Sequence, residues 1–204
     1  MKMEHLLEDR RGVLDAIYRR RAVRAYAEPQ PSDTVIRALL EAAVHAPTAM
    51  HAEPWKFIVI QDRAMLKRYS ERAKSMMLAD VHRHVDHFPG RSERQEHLAM
   101  LDDPAFNIFY DASTLIVICC DAVGRFTEAD CWLAAQNLML AAYAENLGTC
   151  CIGFAIPVLN ASDVKRELGI PESGAAVAPV IVGSARTQPD PVARKAPDIL
   201  CWLR

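Results

Sequence analysis

Four arginines lie within the six positions of residues 19–24, which read RRRAVR. A guanidinium group is always charged and presents a planar fork of donors, so this cluster suits a phosphate or a carboxylate. The amphipathic run before it predicts a helix over residues 12–21. Because the C-terminal end of a helix carries a partial negative charge, side chains must hold any anion bound there. A solvated basic patch is the alternative interpretation.

A second polar segment, residues 46–55, reads APTAMHAEPW and lies between a predicted helix and a predicted strand. Loops that are fixed between two core elements often carry function. The chain has only eight glycines, and none of them forms a Gly-x-Gly-x-x-Gly or Walker motif. A dinucleotide is therefore not expected to bind in the Rossmann manner, and the arginines remain the predicted phosphate ligands.

Together these segments resemble the start of the FMN-dependent nitroreductase family. The pattern Arg-Arg-x-Val-Arg-x-Tyr is followed, about two dozen residues later, by Ala-Pro-Thr-Ala-x-His-x-Glu-Pro-Trp-x-Phe. Residues 134–138 and 146–153 resemble the central helix of that family and the flavin-contacting segment after it. The likeness extends over roughly residues 12–197, and its motifs occur in the family's order. It implies FMN as the cofactor.

In the first segment, the resemblance places Arg20 on the FMN phosphate, with Arg21 and the backbone of Ala22 nearby. Many relatives have serine where this chain has Ala22, so one hydrogen bond to the cofactor, worth about 1 kcal/mol, is expected to be missing. Arg24 would lie near the N1 and C2 carbonyl edge of the flavin. A fixed cation there stabilises the negative charge that develops when the ring is reduced.

In the second segment, the resemblance implies a flavin-binding turn made of Pro47, Thr48, Ala49, His51 and Glu53. His51 stands where relatives usually have asparagine, and Glu53 where they usually have glutamine. A carboxylate can accept from the flavin N3–H but cannot donate to a carbonyl. We hypothesise that His51 or Arg24 compensates the charge of Glu53, and that the reduction potential is lower than with glutamine. The alternative is that Glu53 points to solvent while His51 caps a turn.

Three further groups match the family. They are the segment Cys151, Ile152 and Gly153, the pair Arg194 and Lys195, and the single residue Asn107. The backbone of the first group would face flavin N5, where an amide N–H tunes hydride acceptance. The basic pair would close on the phosphate, and the asparagine is a candidate for the region over the flavin. No catalytic side chain is expected, because the flavin carries the chemistry while the protein supplies orientation, electrostatics and exclusion of water.

The implied reaction is a ping-pong hydride transfer. NAD(P)H reduces FMN and leaves, and an electron-poor acceptor such as a nitroaromatic or a quinone takes its place. Two alternatives remain open: a flavoenzyme of the same fold with another specificity, such as a dehalogenase or a dehydrogenase, and an FMN-binding store or sensor without physiological turnover. A phosphate-binding module without flavin is a more distant alternative.

Composition limits the other classes of function. The formal net charge is -2, with 51% hydrophobic and 25% charged residues. Nucleic-acid binding usually requires a basic surface, so it is not expected. No apolar run approaches the ~20 residues that cross a bilayer. Residues 1–11 are polar and contain no apolar signal core, so we expect a cytoplasmic location.

The six cysteines predict no disulfide framework. None of them forms a Cys-x-x-Cys motif, and the neighbours Cys119 and Cys120 would point to opposite faces of a strand. We interpret the cysteines as small buried side chains in a reducing compartment.

Periodicity predicts alternating helices and strands. Further helices are expected from Ser32 or Asp33 to Pro47, from Asp62 through Met77, over residues 127–146 with Gly148 as C-cap, and over residues 162–168 with Ser162 as N-cap. Strands are expected over residues 55–60, 114–120, 150–155 and 177–182. Pro179 favours an edge position for the last strand, or a position at its beginning.

The longest predicted helix, residues 127–146, is apolar nearly all round and must be buried on several sides, which points to a second subunit. The resemblance implies an α+β fold with a central, mainly antiparallel sheet flanked by helices, in an intertwined homodimer with FMN at the interface. One domain is expected over residues 1–204. Residues 80–110 would form a variable lid, and residues 184–204 an extended tail that crosses to the partner.

Residues 80–104 are polar and contain His82, His84, His87 and His97. Two of these, His84 and His87, would lie one turn apart on a helix, so a metal site is an alternative. No carboxylate or cysteine stands at a supporting spacing, however. We interpret the segment as exposed and mobile, and we predict no metal.

Overall fold

The computed structural model describes residues 12–80 and 91–204. The helices are α1 (12–19), α2 (Asp33–Val44), α3 (Arg63–Asp80), α4 (Arg91–Asp102), α5 (Thr127–Ala144), α6 (Ile156–Leu159) and α7 (Ser162–Leu168). The strands are β1 (Tyr26–Ala27), β2 (Trp55–Ile60), β3 (Thr114–Cys120), β4 (Leu147–Cys151) and β5 (Ala175–Ala185). Two 3-10 turns cover Ala49–His51 and Gly153–Ala155.

One antiparallel sheet organises these elements. The order of the main path is β1-β5-β3-β2, and β4 also pairs with β5. Apolar, β-branched runs account for β2 and for β3, whose seven residues are all buried. This arrangement, an antiparallel sheet flanked by helices, confirms the predicted α+β fold. The strand predicted over residues 150–155 lies earlier in the chain, because β4 begins directly after a turn at Asn146 and ends at Cys151.

Pro179 lies in the middle of β5, opposite Val117 of β3. Because β3 pairs along one side of β5 and β4 along the other, β5 is an inner strand, and the predicted edge or starting position is wrong. The Pro179 carbonyl accepts from the amide of Ile152, one residue beyond the end of β4. The N and C=O of one strand residue point to the same side. The proline nitrogen therefore faces a place where no partner strand requires a donor.

Each face of the sheet has its own core. One core joins α3, α6 and α7 to the sheet, with Tyr69, Leu115 and Ile181 among its members. The other joins α2 and α5 to the opposite face and includes Leu138. Cys119 belongs to the first core and Cys120 to the second, which confirms the predicted alternation. All six cysteines are free.

Two of the predicted helix caps are confirmed. The Ser32 hydroxyl accepts from the amide of Val35 at 3.4 Å at the start of α2. The Asp62 carboxylate accepts from the amides of Ala64 and Met65, at 2.8 and 3.0 Å, at the start of α3. Such caps satisfy amides that have no partner within the helix.

Two other predicted caps are wrong. Ala161 is the N-cap of α7, and Ser162 is already helical and makes no capping bond. After α5 the left-handed residue is Asn146, with φ 57°, rather than Gly148. Gly148 lies in β4, where an added Cβ would come within 2.6 Å of Val23. Its small size therefore serves close packing of the backbone and not the end of a helix.

The histidine-rich segment contains a helix that periodicity did not predict, α4. His82, His84 and His87 lie outside the described residues, and with them the alternative metal site; His97 lies within α4. At the other end of the chain, residues 186–204 form no helix or strand and are almost entirely exposed. No helix within residues 12–80 and 91–204 combines the length and apolar character that a bilayer crossing requires.

Candidate functional site

The four arginines of residues 19–24 have different surroundings. The Nε of Arg19 lies 2.8 Å from Asp15 Oδ1, one turn earlier on α1. The Nη1 of Arg21 donates to two backbone carbonyls, at 2.7 and 2.9 Å. No described residue accepts a hydrogen bond from the guanidinium of Arg20 or Arg24. These two side chains are therefore the charges of the cluster that an anion could use.

Strand β4 positions the arginine segment. Ala22 forms a parallel bridge with Thr149, and the amide of Val23 donates to the Thr149 carbonyl at 3.0 Å. A cavity of about 370 Å³ lies beside this junction and is lined in part by Arg20 and Arg21. The Nε of Arg21 and the Oγ1 of Thr149 are buried without a hydrogen-bond partner among the described residues. The junction thus combines positive charge, open volume and unsatisfied polar atoms.

An aromatic loop lies under Arg24. The guanidinium carbon is 5.8 Å from the centroid of the Tyr110 ring, a distance at which the face of the ring attracts a cation. Tyr110 donates its amide to the carbonyl of Asn107 at 2.8 Å. The half-buried Asn107 side chain donates to Asp111 Oδ1 at 2.9 Å. The loop therefore brings Asn107 and Tyr110 into one patch with Arg24.

The end of β4 contributes backbone to the same region. The amide of Ile152 donates to the Pro179 carbonyl at 2.9 Å, so it is not free to face a ligand. Gly153 is exposed, and its N–H has no backbone acceptor among the described residues. Of these two amides, it is therefore the one available for the predicted contact with flavin N5. Burial raises the pKa of the Cys151 thiol, and the charge of Arg20 opposes that shift. We call residues 20–24, 107–110 and 151–153 the arginine patch.

The segment between α2 and β2, residues 47–53, is here called the polar turn. Its backbone is strained, because Met50, His51 and Glu53 have φ of 56°, 53° and 44°, values that residues other than glycine rarely adopt. The Thr48 hydroxyl lies 3.5 Å from the amide of Glu53. His51 and Glu53 are both exposed, and neither forms an ion pair with a described residue. Within one chain, nothing among those residues compensates the Glu53 carboxylate.

A buried carboxylate on α5 anchors the polar turn. Asp130 is 3% exposed, and its Oδ1 accepts from the amide of Ala49 at 3.1 Å. Pro47 is exposed and Ala49 half-buried beside it. Sequence reasoning missed Asp130, although an acid near the start of a largely apolar helix was a usable signal. It also missed Tyr110, for which no local signal exists because its partner Arg24 is distant in sequence.

The arginine patch and the polar turn lie at opposite edges of the sheet. Thr149 of β4 is level with Thr114 of β3, whereas Trp55, which follows the turn, is opposite Cys120 at the other end of β3. Three strand spacings separate the two edges, which is roughly 14 Å, and the offset along the strands is roughly 20 Å. One chain therefore does not bring the two groups together.

The predicted basic pair of the tail makes no polar contact with either group in the part of the chain that the structure describes. Arg194 and Lys195 are exposed, and neither forms an ion pair or hydrogen bond with a described residue. The beginning of the tail does approach the arginine patch, since Gln188 lines the cavity beside Arg20.

Comparisons with known proteins agree with this fold. The model of the nitroreductase family matches residues 17–184. A protein from Archaeoglobus fulgidus, provisionally named NADH dehydrogenase/NAD(P)H nitroreductase, is 30% identical over 183 residues, which cover 87% of each chain. The crystal structure of a nitroreductase with bound FMN from Bacteroides fragilis is 26% identical and has a TM-score of 0.76, over 93% of this chain and 98% of that chain.

A more distant likeness shows the fold alone. An iodotyrosine deiodinase bound to FMN and 3-iodo-L-tyrosine is 19% identical, with a TM-score of 0.69, over 92% of this chain and 97% of that chain. The family match spans most of the chain, and it includes the arginine segment, the polar turn and all five strands up to Ser184. By these matches, the chain belongs to the nitroreductase family.

Proposed function

We propose that this protein is an FMN-dependent oxidoreductase that takes a hydride from NAD(P)H and passes the electrons to an electron-poor acceptor, such as a nitroaromatic or a quinone. Family membership supports the oxidoreductase class. The observation that carries the cofactor assignment is the arginine patch, where Arg20 lines a cavity and has no partner among the described residues.

The residues of the patch fit a phosphate-bearing cofactor. Arg20 supplies a charged fork of donors toward the cavity, and the buried Nε of Arg21 lacks an acceptor among the described residues. Phosphate oxygens satisfy such groups through short, charge-assisted hydrogen bonds. We rank Arg20 above Arg21 as the phosphate ligand, because Arg21 already donates to two carbonyls of its own segment.

The remaining residues of the patch have roles in orientation and electrostatics. Arg24, held over Tyr110, would place a fixed positive charge beside the ring of the cofactor. The amide of Gly153 would face the ring from the end of β4, and Asn107 would contact its edge. Bound FMN would supply the two-electron chemistry, and donor and acceptor would occupy the same place in turn.

A homodimer completes this proposal. One chain leaves apolar side chains exposed on α1, on α5 and in the tail: Leu14, Ile17, Tyr18, Leu133, Leu200, Trp202 and Leu203. Exposed apolar groups of this kind mark interfaces between proteins. A two-fold related partner could also place its polar turn beside the arginine patch of the first chain, which the separation within one chain prevents. The exposed tail would lie across the partner.

A mixing experiment tests this arrangement. Arg20→Ala damages the arginine patch, and Ala49→Phe fills the space at the polar turn. When the two variants are refolded together, each mixed dimer should contain one intact site, so about a quarter of the sites should bind FMN with the affinity of the wild type, whereas each variant alone should bind it only weakly. Titration of FMN fluorescence measures the fraction. No recovery in a verified mixed dimer would contradict a site shared between subunits.

Anaerobic stopped-flow absorbance of the purified protein tests the activity. Bleaching of the oxidised flavin band by NADH or NADPH, followed by recovery with a nitroaromatic or a quinone, would support the reductase and identify the donor. A yellow protein that neither nucleotide bleaches would contradict it. Iodotyrosine or another halogenated aromatic, tested with chemically reduced protein, then separates a dehalogenase from a store of FMN. A colourless protein that takes up no FMN would contradict the cofactor assignment itself.

A further inference from the structure

Lys74 of α3 is a buried lysine with all three of its donors satisfied. The residue is 5% exposed. Its Nζ donates to the carbonyls of Asp103 and Phe106, at 3.0 and 2.9 Å, and to Glu71 Oε1 at 3.4 Å. A buried ammonium group is costly unless each N–H finds an acceptor. Two of its three acceptors belong to the loop that joins α4 to β3.

Ser70 lies one turn earlier on the same face of α3 and holds the same loop. It is 1% exposed, and its Oγ accepts from the amide of Ile108 at 3.0 Å. Positions four residues apart on a helix are neighbours on one face. Lys74 and Ser70 therefore bind three backbone groups within residues 103–108, and Ile108 is fully buried at the point of contact.

The loop so held carries the aromatic side of the arginine patch. The rings of Phe106 and Tyr110 pack edge to face with centroids 5.7 Å apart, and Tyr110 lies under Arg24. Tyr110 and Asp111 have φ of 52° and 54°, so the backbone here is strained and needs support from its surroundings. One support from outside the loop is the bond from Lys74 to the Phe106 carbonyl.

We propose that Lys74, together with Ser70, is a positioning residue that fixes the loop of residues 103–110 so that Tyr110 faces Arg24. An apolar side chain at position 74 would fill the same volume, but it would leave the Phe106 carbonyl without a partner among the described residues and the Asp103 carbonyl with only the amide of Phe106. The consequence for a bound flavin depends on the proposed function, whereas the effect on the loop does not.

The test compares Lys74→Met with Lys67→Met, a matched control because Lys67 is an exposed lysine on the same helix. Amide hydrogen exchange is followed by mass spectrometry in the protein as purified, with and without added FMN. In Lys74→Met we expect exchange at least about tenfold faster in peptides covering residues 103–112, with β3 unchanged. Ser70→Ala, a smaller change that retains the lysine, should speed exchange chiefly at Ile108.

A spectroscopic measurement links the loop to the cofactor. In the FMN-loaded protein, Lys74→Met should change the visible circular dichroism of the flavin, while Lys67→Met should leave it as in the wild type. Equal exchange of residues 103–112 in both lysine variants would overturn the proposal. Faster amide exchange spread evenly over the whole chain, in both Lys74→Met and Ser70→Ala, would also overturn the proposal. If the wild type bound no FMN, the proposed function would fail, and the exchange data would still decide the role of Lys74.

Discussion

The arginine patch and the polar turn are built in different ways. Main-chain pairing with β4 and a loop anchored on α3 hold the patch, so its charges lie on rigid backbone. The polar turn depends on three left-handed residues and one buried carboxylate from α5. Each region also contains a polar atom without a partner among the described residues, Arg21 Nε in one and Trp55 Nε1 beside the other.

This difference indicates that the arginine patch and the polar turn have different roles. The patch supplies charge, and changes there should act on the affinity for an anionic cofactor. The turn supplies shape, and changes there should act on stability and on the properties of what is bound. Four measurements on substituted proteins would test or refine that distinction.

The largest effect is expected from Arg20→Ala. A charge-assisted hydrogen bond contributes about 1.5–3 kcal/mol, so the affinity for FMN should fall roughly tenfold to a hundredfold. Fluorescence titration of the FMN-free protein measures it. Arg19→Ala is the control, because Arg19 is paired with Asp15 on an exposed surface of α1. An equal loss in both variants would mean that general positive charge, and not the position of Arg20, holds the anion.

A smaller effect is expected from Asp130→Ala at the polar turn. Loss of the acceptor for the Ala49 amide should lower the free energy of unfolding by about 1–3 kcal/mol. Asp130→Asn, which retains an acceptor oxygen, should lose less. Urea denaturation provides the comparison, with Glu128→Gln as a control at an exposed acid of the same helix turn. If all three variants unfolded alike, Asp130 would not be the anchor of the turn.

Glu53→Gln tests whether the turn reaches the cofactor. Removing a negative charge near the ring should raise the flavin reduction potential by more than about 15 mV, which is about 0.7 kcal/mol for two electrons. Potentiometric titration with a reference dye measures the shift, and Glu172→Gln serves as a distant exposed control. A potential that stays within that limit would indicate that Glu53 does not lie near the flavin. It would also contradict the hypothesis that His51 or Arg24 compensates its charge.

The smallest effect concerns the Cys151 thiol. Burial raises its pKa, and the positive charge of Arg20 favours the thiolate and lowers it in part. In Arg20→Ala the pKa should therefore rise further, and alkylation of Cys151 at a fixed alkaline pH should slow. The pH dependence of the rate, followed by mass spectrometry without FMN, should be unchanged in Arg19→Ala. A faster reaction in Arg20→Ala would indicate that the arginine shields the sulfur rather than stabilising its charge.

Local patterns predicted much of the fold, and long-range contacts account for what they missed. Strand β3 and helix α5 follow from continuous apolar runs, and Ser32 and Asp62 cap helices because a cap depends only on neighbours in sequence. The position of Pro179 was predicted wrongly because its nitrogen faces the end of β4, and this depends on how the strands pair in the sheet. The same applies to Gly148, whose role is set by the approach of Val23.

The candidate site was predictable to a similar degree. The arginine cluster and the polar turn were visible as motifs, and the resemblance assigned them to one cofactor. Spacing in sequence could not reveal that the two lie at opposite edges of one sheet. Nor could it select Arg20 and Arg24 from four arginines, since that choice depends on where Asp15 and the backbone carbonyls lie. Asp130, Tyr110 and Lys74 act through partners far away in the chain.

The inner position of β5 has a consequence for how the protein is made. This strand, the last in sequence, pairs with β1, β3 and β4, so residues 26 to 151 cannot complete their sheet until residues 175–185 have been synthesised. Pairing between segments so distant in the chain is slow, and the unpaired edges of β3 and β4 are exposed in the meantime. Nascent chains that stop before Ala175 should therefore depend on chaperones, whereas chains from which Ala185 has left the ribosome can form every strand pairing of the sheet.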